Sequence, residues 1–329
     1  MKKYRTLLRE LQYKNGMLSM LKTDIKKSKF PKIVVLQTIN RCNCACLMCP
    51  YSYTVANENE SRMSEETFNN ILDQLEKEDE FESLFFAFQN EPLLDPRIIE
   101  WAKKFKERLP NKRLELVSNG SMLKPELAKE VYKYFDLVHI SLNAFSDESY
   151  QKISRTKHYK RIFDNLISVA TFPEQQKKTI VRFICQKANV DEKKDFYNFW
   201  RKKGFMVFGF DVNDRLKGVR DFDNKIKLPL DTSKKIKMFV LKHLGKLMLP
   251  TCSIPFICVY IKADGGVVQC FNDWSNENII ENINDKKIKE IFHNDKYKKI
   301  RKKLLADKLD DSVICSKCDL YREGIWLTA

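Results

Sequence analysis

Residues 33–50 read IVVLQTINRCNCACLMCP, an apolar run followed at once by a loop of crowded cysteines. The apolar residues 33–37 predict a buried β-strand, because short continuous apolar runs are typical of parallel sheets. Four cysteines follow within eight residues: Cys42, Cys44, Cys46 and Cys49. Thiolates packed this closely serve soft metals better than they serve core packing. This loop is therefore the predicted centre of the molecule's chemistry.

Length and composition predict a globular protein from a reducing compartment. The 329 residues can bury a large core, which suits one (β/α) domain with an appendage. No apolar run approaches the roughly 18 residues that span a bilayer, and residues 1–30 are basic and helical without the apolar segment of a signal peptide. We therefore expect a cytoplasmic protein without a membrane span, whose ten cysteines are metal ligands or reactive thiols rather than disulfides.

The formal charge of +16 has two interpretations. A strongly basic balance favours an anionic small-molecule substrate, nucleic acid or an acidic electron donor as partner. The alternative is a solvated, lysine-rich surface. We prefer this alternative because arginine, whose planar fork suits phosphate recognition, is not specially enriched. Nucleic acid is therefore not an expected partner.

From the strand before the loop onwards, short apolar strands alternate with helices of 10–15 residues. Strands are predicted at residues 33–37, 84–88, 113–117, 137–142, 179–185 and 206–212. Six such units predict an α/β fold, a partial (β/α)6 TIM-type barrel over residues 31–218, whose functional residues gather at the C-terminal ends of the strands. In front of it, residues 1–30 form a basic helical segment, interrupted or kinked at Asn15-Gly16.

The pattern changes in the last third of the chain. Residues 219–250 form a linker with a predicted helix at 232–247, and residues 251–329 form a small module. Asp264-Gly265 between the apolar runs 256–261 and 266–271 is a strong β-hairpin signal. A basic helix is predicted over 288–305. The chain then reaches a C-x-x-C pair, Cys315 and Cys318, so we expect a small C-terminal domain of a hairpin and helix anchored by cysteines.

The spacing C-x3-C-x2-C of Cys42, Cys46 and Cys49 lets a short loop wrap one metal cluster. No fourth ligand is evident, because Cys44 is expected to point to the other side of such a loop. Three thiolates on a [4Fe–4S] cluster leave one iron open to coordinate another group. The alternative is a zinc knuckle, which is disfavoured because structural zinc sites need four closed ligands.

The loop at residues 40–50, NRCNCACLMCP, resembles the CxxxCxxC loop that follows the first barrel strand in the radical SAM superfamily. The resemblance implies that the open iron is chelated by the amino and carboxylate groups of S-adenosylmethionine. Reduction of the cluster, by an external donor such as flavodoxin or ferredoxin, would give a 5′-deoxyadenosyl radical that abstracts a substrate hydrogen. Cys44 stands where the family more often has leucine or an aromatic residue, and we interpret it as a spare thiol.

The stretch QNEPLL at residues 89–94 resembles the family's Gly-Gly-Glu-Pro segment, which pairs with the methionyl amino group. Gln89 and Asn90 replace the glycines, and asparagine tolerates left-handed backbone, so the turn is expected to survive. The alternative is an ordinary helix-entry turn.

Polar residues at three further strand ends complete the predicted ligand contacts. Ser118-Asn119-Gly120 resembles the family's Thr-Asn-Gly turn, and the fourth strand ends where the family commonly places ribose contacts. Arg182 inside an apolar strand needs a partner, either a ligand carboxylate or an internal salt bridge. The predicted S-adenosylmethionine contacts are Asn90, Glu91, Ser118, Asn119, Ser141, Asn143 and Arg182.

Residues 252–304, with their hairpin, resemble the SPASM and Twitch auxiliary-cluster domains, and the shortened Twitch version fits better because few cysteines remain. The resemblance implies a second [4Fe–4S] cluster, with a four-cysteine zinc ribbon as the alternative. Cys258 is left over. It could replace Cys252, donate a hydrogen atom as in radical epimerases, or pack as a small buried residue. The assigned ligands are Cys252, Cys270, Cys315 and Cys318.

These features predict a radical SAM oxidoreductase or isomerase acting on a small polar substrate such as a sugar, aminocyclitol or nucleotide derivative. An auxiliary cluster that accepts the second electron gives dehydrogenation, and Cys258 as hydrogen donor gives epimerisation. The alternatives are a peptide-modifying maturase and a non-enzymatic iron–sulfur or zinc protein. His139 is predicted to be a packed core residue rather than a base. Polar residues near the sixth strand, Asp211, Asn213 and Asp214, are predicted either to line the pocket or to act as caps at the strand end.

Overall fold

The computed structural model describes residues 2–22, 27–212, 226, 252–274, 279–306, 308–309 and 314–318. Its strands are β1 (Ile33–Leu36), β2 (Ser83–Phe86), β3 (Arg113–Ser118), β4 (Leu137–Ser141), β5 (Thr179–Cys185), β6 (Met206–Asp211), β7 (Cys258–Ile261), β8 (Gly266–Val268) and β9 (Ile279–Asn282). Its α-helices are α1 (Lys2–Lys22), α2 (Glu65–Leu75), α3 (Ile98–Arg108), α4 (Pro125–Tyr134), α5 (Asp147–Ser154), α6 (Tyr159–Ala170), α7 (Pro173–Lys177), α8 (Lys193–Lys202), α9 (Ile254–Ile257), α10 (Ile288–Phe292) and α11 (Asp295–Leu305).

All nine strands belong to one sheet in the order β6-β5-β4-β3-β2-β1-β7-β8-β9. Strands β1 to β6 are parallel to their neighbours, which confirms the predicted α/β fold with its parallel six-stranded barrel sheet. The C-terminal hairpin does not form a sheet of its own. Strand β7 pairs in parallel with β1, and β8 and β9 follow antiparallel. The first barrel strand therefore lies between β2 and the C-terminal module.

The two faces of the sheet differ in burial. Side chains on the face covered by helices are almost completely buried, for example Leu36, Leu116 and Val181 at 0% exposure. On the inner face, residues near the C-terminal ends of β4 and β5, such as Ser141 and Arg182, are partly exposed. Because side chains of a strand alternate between faces, these polar groups lie on the opposite side of the sheet from the helices.

Helix α1 closes one side of the barrel. The Glu10 carboxylate accepts hydrogen bonds from Arg201 Nη2 at 2.7 Å and from the Val207 backbone N–H at 2.8 Å, which ties α1 to α8 and β6. Of the two predicted forms of this segment, two separate helices are ruled out, because α1 runs through Asn15 and Gly16. A glycine inside a helix costs only about 1 kcal/mol, which tertiary contacts such as those of Glu10 can offset.

Three further differences concern the C-terminal part. Strand β7 begins at Cys258 instead of residue 256, because Pro255 lies in the first turn of α9. The helix predicted over 288–305 is divided into α10 and α11, because Asn294 caps α11 by accepting a hydrogen bond from the Tyr297 N–H. The predicted helix at 232–247, and Asn213 and Asp214, lie outside the described residues. Among the described helices, none is both long and apolar enough to cross a membrane.

Candidate active site and two cysteine sites

The cysteine loop follows β1 directly and is fixed by backbone hydrogen bonds to the end of α5. The Ala45 and Leu47 N–H groups donate to the carbonyls of Ser154 and Ile153 at 3.1 and 2.7 Å. At the start of the loop, the Cys42 N–H donates to the Tyr51 hydroxyl at 2.9 Å. The loop is therefore held in one conformation by groups outside it. We call Cys42, Cys46 and Cys49 the loop site.

Cys44 does not point away from the loop site, so that prediction is wrong. Its thiol hydrogen-bonds with the thiols of Cys42 and Cys46, and these contacts lower the pKa of Cys44. The same contacts, together with burial, raise the pKa of Cys42 and of Cys46. Asn119 Nδ2 also lies 3.5 Å from Cys44 Sγ.

Glu91 links the ends of β2 and β3 to the cysteine loop. Its carboxylate is 1% exposed and accepts hydrogen bonds from Ser118 Oγ at 2.7 Å, the Asn119 N–H at 2.6 Å and the Leu93 N–H at 3.1 Å. Its own N–H donates to the Arg41 carbonyl at 2.7 Å. Burial raises the pKa of Glu91 to about 7. Protein donors therefore occupy both carboxylate oxygens, so Glu91 and Ser118 position this turn.

The turn at Gln89 and Asn90 survives without glycine, but in an unexpected way. Left-handed backbone falls on Phe88 (φ 89°) and Gln89 (φ 56°), not on Asn90. A residue other than glycine in the left-handed backbone region carries roughly 1–2 kcal/mol of conformational strain. Residues strained in this way are found most often at functional sites. The Asn90 side-chain N and O atoms are buried and have no partner in the part of the chain that the structure describes. An amide left unpaired beside the loop fits a missing polar ligand.

The remaining predicted contacts lie at the ends of β4 and β5. Ser141 and Arg182 are paired across the two strands on the inner face. The Arg182 guanidinium lies 5.9 Å from the centre of the Phe210 ring. Asn143 is different: it has φ 59°, is 6% exposed, and its Oδ1 accepts the Ile184 N–H at 2.9 Å. Ser141 and Arg182 therefore lie partly exposed on the inner face, whereas Asn143 shapes the turn.

Deeper on the inner face, His139 and Glu115 form a buried pair. Their Nε2 and Oε2 atoms lie 2.8 Å apart, and both side chains are at most 1% exposed. Burial lowers the pKa of His139 to about 4, and Arg182 contributes to this effect. The imidazole is therefore neutral at physiological pH, as expected for a packed core histidine.

The four C-terminal cysteines assigned above line one small cavity, together with Pro255 and Gln269. We call Cys252, Cys270, Cys315 and Cys318 the distal site. Amide groups surround its sulfurs: Gln269 Nε2 lies 2.9 Å from Cys315 Sγ, and Asn272 Nδ2 lies 3.3 Å from Cys318 Sγ. Such outer hydrogen bonds orient metal ligands and tune a cluster.

Cys258 is not part of the cavity wall. It is 3% exposed at the start of β7, paired with Ile33, and its thiol contacts the Tyr260 hydroxyl. Burial raises the pKa of its thiol to about 12. The beginning of β7 lies beside the N-terminal end of β1, and the cysteine loop follows the C-terminal end of this strand, which is roughly 10 Å long at 3.3 Å per residue.

A short segment, residues 270–274, connects the two cysteine sites. It begins with the distal-site ligand candidate Cys270, and the Asp273 carbonyl accepts a hydrogen bond from Gln89 Nε2 at 2.7 Å. It ends at Trp274, which packs with Tyr51 and Val55 in a cluster against Cys42 and Cys49. Sequence reasoning missed Tyr51 and Trp274. The position of Tyr51 directly after Cys49-Pro50 was an available signal, but nothing local marks Trp274.

Comparison with known proteins agrees with this architecture. The radical SAM superfamily model matches residues 36–172, and the model of the SPASM iron–sulfur cluster-binding domain matches residues 252–319. The chain therefore belongs to the radical SAM superfamily. Its C-terminal part is a SPASM-type auxiliary-cluster domain.

Two curated relatives are similar over different extents. The S-adenosyl-L-methionine-dependent 2-deoxy-scyllo-inosamine dehydrogenase of Niallia circulans is 21% identical over 88% of this chain and 94% of its own length. The tungsten-containing aldehyde ferredoxin oxidoreductase cofactor-modifying protein of Pyrococcus furiosus is 31% identical, but over only 34% of this chain and 31% of its own length.

Solved structures share the fold at low identity. Streptococcus suis SuiB bound to S-adenosylmethionine matches with a TM-score of 0.64 at 15% identity, covering 90% of this chain and 72% of SuiB. BtrN in complex with AdoMet and 2-DOIA matches with a TM-score of 0.54 at 17% identity, covering 88% of this chain and 92% of BtrN.

Membership of the superfamily implies a [4Fe–4S] cluster with S-adenosylmethionine, and the SPASM domain implies auxiliary iron–sulfur binding. The residues present fit these groups. The loop site offers three thiols and the unpaired Asn90 amide, and the distal site offers four thiols around one cavity. In the described part of the chain, no three His, Cys, Asp or Glu side chains converge on a point suited to a single metal ion.

Proposed function

We propose that this chain is a radical SAM dehydrogenase of a small polar substrate, such as an aminocyclitol, a sugar or a nucleotide derivative. The observation that carries the proposal is the pairing of two cysteine sites, one with three candidate ligands and one with four, through the segment at residues 270–274. A site closed by four thiolates suits electron transfer rather than substrate activation.

At the loop site, Cys42, Cys46 and Cys49 would hold the cluster that supplies the electron for reductive cleavage of S-adenosylmethionine. The Asn90 amide offers an unpaired donor and acceptor for its polar end. Ser141 and Arg182 on the inner face would bind polar groups of the cofactor or the substrate. Glu91, through its three hydrogen bonds, holds the surrounding turns in register.

Oxidation of an alcohol to a ketone removes two electrons and two protons. One electron leaves with the abstracted hydrogen atom, and the second must pass to an acceptor, a role that the distal site suits. Epimerisation is less well supported, because Cys258 is buried against Tyr260 at the far end of β1 from the loop site. The full-length similarity to a dehydrogenase favours the same choice.

An external electron carrier would dock beside the distal site. A surface groove of about 540 Å³ is lined by Lys298, Arg301 and Lys302, and its wall contains no acidic side chain among the described residues. Arg301 Nε donates to the carbonyl of Pro255, which also borders the distal-site cavity. Basic grooves attract acidic partners such as flavodoxin or ferredoxin. The double variant Lys298→Glu/Lys302→Glu is expected to slow reduction by an acidic carrier but not by dithionite.

The test is anaerobic incubation of reconstituted protein with dithionite, S-adenosylmethionine and a panel of deuterated aminocyclitols, sugars, nucleotide derivatives and peptides. We expect deuterium in 5′-deoxyadenosine and one ketone formed per S-adenosylmethionine consumed. The Cys46→Ala variant, which lacks one thiol of the loop site, is the negative control and should form no product. An epimer with solvent hydrogen would contradict dehydrogenation, and a modified peptide would instead support a maturase. Failure to cleave S-adenosylmethionine at all would overturn the enzyme assignment.

A further inference from the structure

Trp274 is a buried residue whose indole N–H has no hydrogen-bond partner in the described structure. Its side chain is 3% exposed, and its Nε1–H has no hydrogen-bond acceptor among the described residues. An indole N–H buried without an acceptor destabilises the folded state, and native proteins rarely leave one unpaired. The orphan donor therefore indicates an acceptor that belongs to a bound group.

A second tryptophan shows that burial alone is not the signal. Trp200 also has an unpartnered Nε1, but its ring lies among aromatic rings, with Phe199 at 5.0 Å, Phe163 at 5.3 Å and Phe205 at 5.7 Å between centroids. Aromatic faces accept weak hydrogen bonds from N–H groups. Trp274 instead packs with Tyr51 and Val55 against the sulfur-bearing side chains of Cys42 and Cys49.

The position of Trp274 is set by neighbours on both sides. Gln89 Nε2 holds the Asp273 carbonyl at 2.7 Å, and the Trp274 N–H donates to the Asn272 carbonyl at 3.1 Å. Asn272 in turn contacts the sulfurs of Cys270 and Cys318 in the distal site. The indole is therefore held rigidly beside the loop site by a segment anchored in the distal site.

We propose that Trp274 Nε1–H donates a hydrogen bond to a sulfur of the cluster at the loop site, either a ligand thiolate or a sulfide. This inference rests on the proposed function, in which Cys42, Cys46 and Cys49 hold that cluster. Hydrogen bonds to cluster sulfurs stabilise the reduced, more negative state and so raise the reduction potential. Trp274 is a positioning and tuning residue, which makes the loop-site cluster easier to reduce.

The test compares Trp274→Phe with Trp200→Phe, because each variant removes one orphan indole N–H and keeps an aromatic ring. The holoenzyme is titrated with dithionite, and reduction is followed by electron paramagnetic resonance. The loop-site cluster is recognised as the signal that changes when S-adenosylmethionine is added. At a fixed potential, Trp274→Phe is expected to shift its reduced-to-oxidised ratio towards oxidised by about threefold to tenfold, where tenfold equals 59 mV for one electron. The signal that does not respond to S-adenosylmethionine should keep its potential.

Trp200→Phe is expected to leave both potentials unchanged. An unchanged loop-site potential in Trp274→Phe, with full iron content, would overturn the inference. If that variant loses iron, the isosteric benzothienylalanine, which replaces the N–H by sulfur, is incorporated at position 274 and titrated in the same way. A wild-type protein with no signal that responds to S-adenosylmethionine would contradict the proposed function itself, so the two failures are distinguishable.

Discussion

The loop site and the distal site are built in opposite ways. The three candidate ligands of the loop site lie within eight residues on one loop, and backbone hydrogen bonds to α5 fix that loop from outside. The four candidate ligands of the distal site come from three separate stretches of the chain. Cys252 lies before α9, Cys270 lies after β8, and the other two lie at residues 315 and 318. A contiguous site forms with its strand, whereas a dispersed site forms only when distant segments meet. The two sites should therefore respond differently to mutation.

The largest expected effect is loss of a loop-site thiol. Cys46→Ala should abolish cleavage of S-adenosylmethionine, with a loss beyond the roughly 100-fold that changes to outer hydrogen bonds cause. The measurement is 5′-deoxyadenosine formed under dithionite, together with iron content. Cys185→Ala, which removes a buried thiol from β5, is the matched control and should retain both. Cys44→Ala should keep its iron, and loss of iron there would make Cys44 a ligand.

Loss of a distal-site thiol should separate cofactor cleavage from product formation. Cys318→Ala is expected to lower iron by about four atoms per chain while S-adenosylmethionine cleavage stays within the same order of magnitude. Ketone formation should fall sharply, because the second electron has no acceptor. Iron analysis and product assays on one preparation check this. Equal loss of both activities would show that the two sites are not independent.

A smaller effect is expected at Glu91, which supports the loop site without being a thiol. Glu91→Gln replaces one carboxylate oxygen by an NH2 group, which cannot accept the hydrogen bonds that this oxygen receives. The variant should lose about 1–3 kcal/mol of unfolding free energy. Burial raises the pKa of Glu91 to about 7, above its ordinary value of 4.5. The folded chain then holds a proton that the unfolded chain loses, so this contribution to stability declines as pH rises from about 4.5 to 7. Denaturant unfolding at pH 5 and pH 8 should show this decline in wild type and not in the variant.

The smallest effect tests the connection between the sites. Gln89→Ala and Gln89→Gly both remove the hydrogen bond to the Asp273 carbonyl, worth about 1 kcal/mol. Only glycine adopts φ 56° without strain, so Gln89→Gly should be more stable than Gln89→Ala by roughly 1 kcal/mol. Chemical unfolding of the two variants measures the difference. Equal stability would mean that the strain at this turn is borne elsewhere.

The contiguous site was predictable and the dispersed one only in part, for physical reasons. Cys42, Cys46 and Cys49 are recognisable because their spacing and the strand before them are local properties of the chain. The orientation of Cys44 was mispredicted, since a loop wrapped around a cluster was assumed to turn this thiol outward, whereas it contacts the thiols of Cys42 and Cys46. The left-handed residues fell on Phe88 and Gln89, because closure of the turn, not residue preference, decides where strain is placed.

Contacts between segments that are distant in the chain could not be predicted from the sequence. The hairpin signal at Asp264-Gly265 predicts β7 and β8, but no local pattern states that β7 pairs with β1. The packing of Trp274 against the loop site depends on that pairing and on Gln89, so it could not be inferred from either segment alone. Likewise, the capping side chain of Asn294 is visible in the sequence, yet a continuous apolar pattern concealed the break between α10 and α11.

The pairing of β1 with β7 has a consequence for biosynthesis. Strand β1 has a neighbour on its second side only when residues 258–261 have been made, more than two hundred residues later in the chain. Until then its unpaired edge faces the solvent, and such edges attract other chains. A ribosome-bound fragment ending before residue 258 should therefore be prone to association.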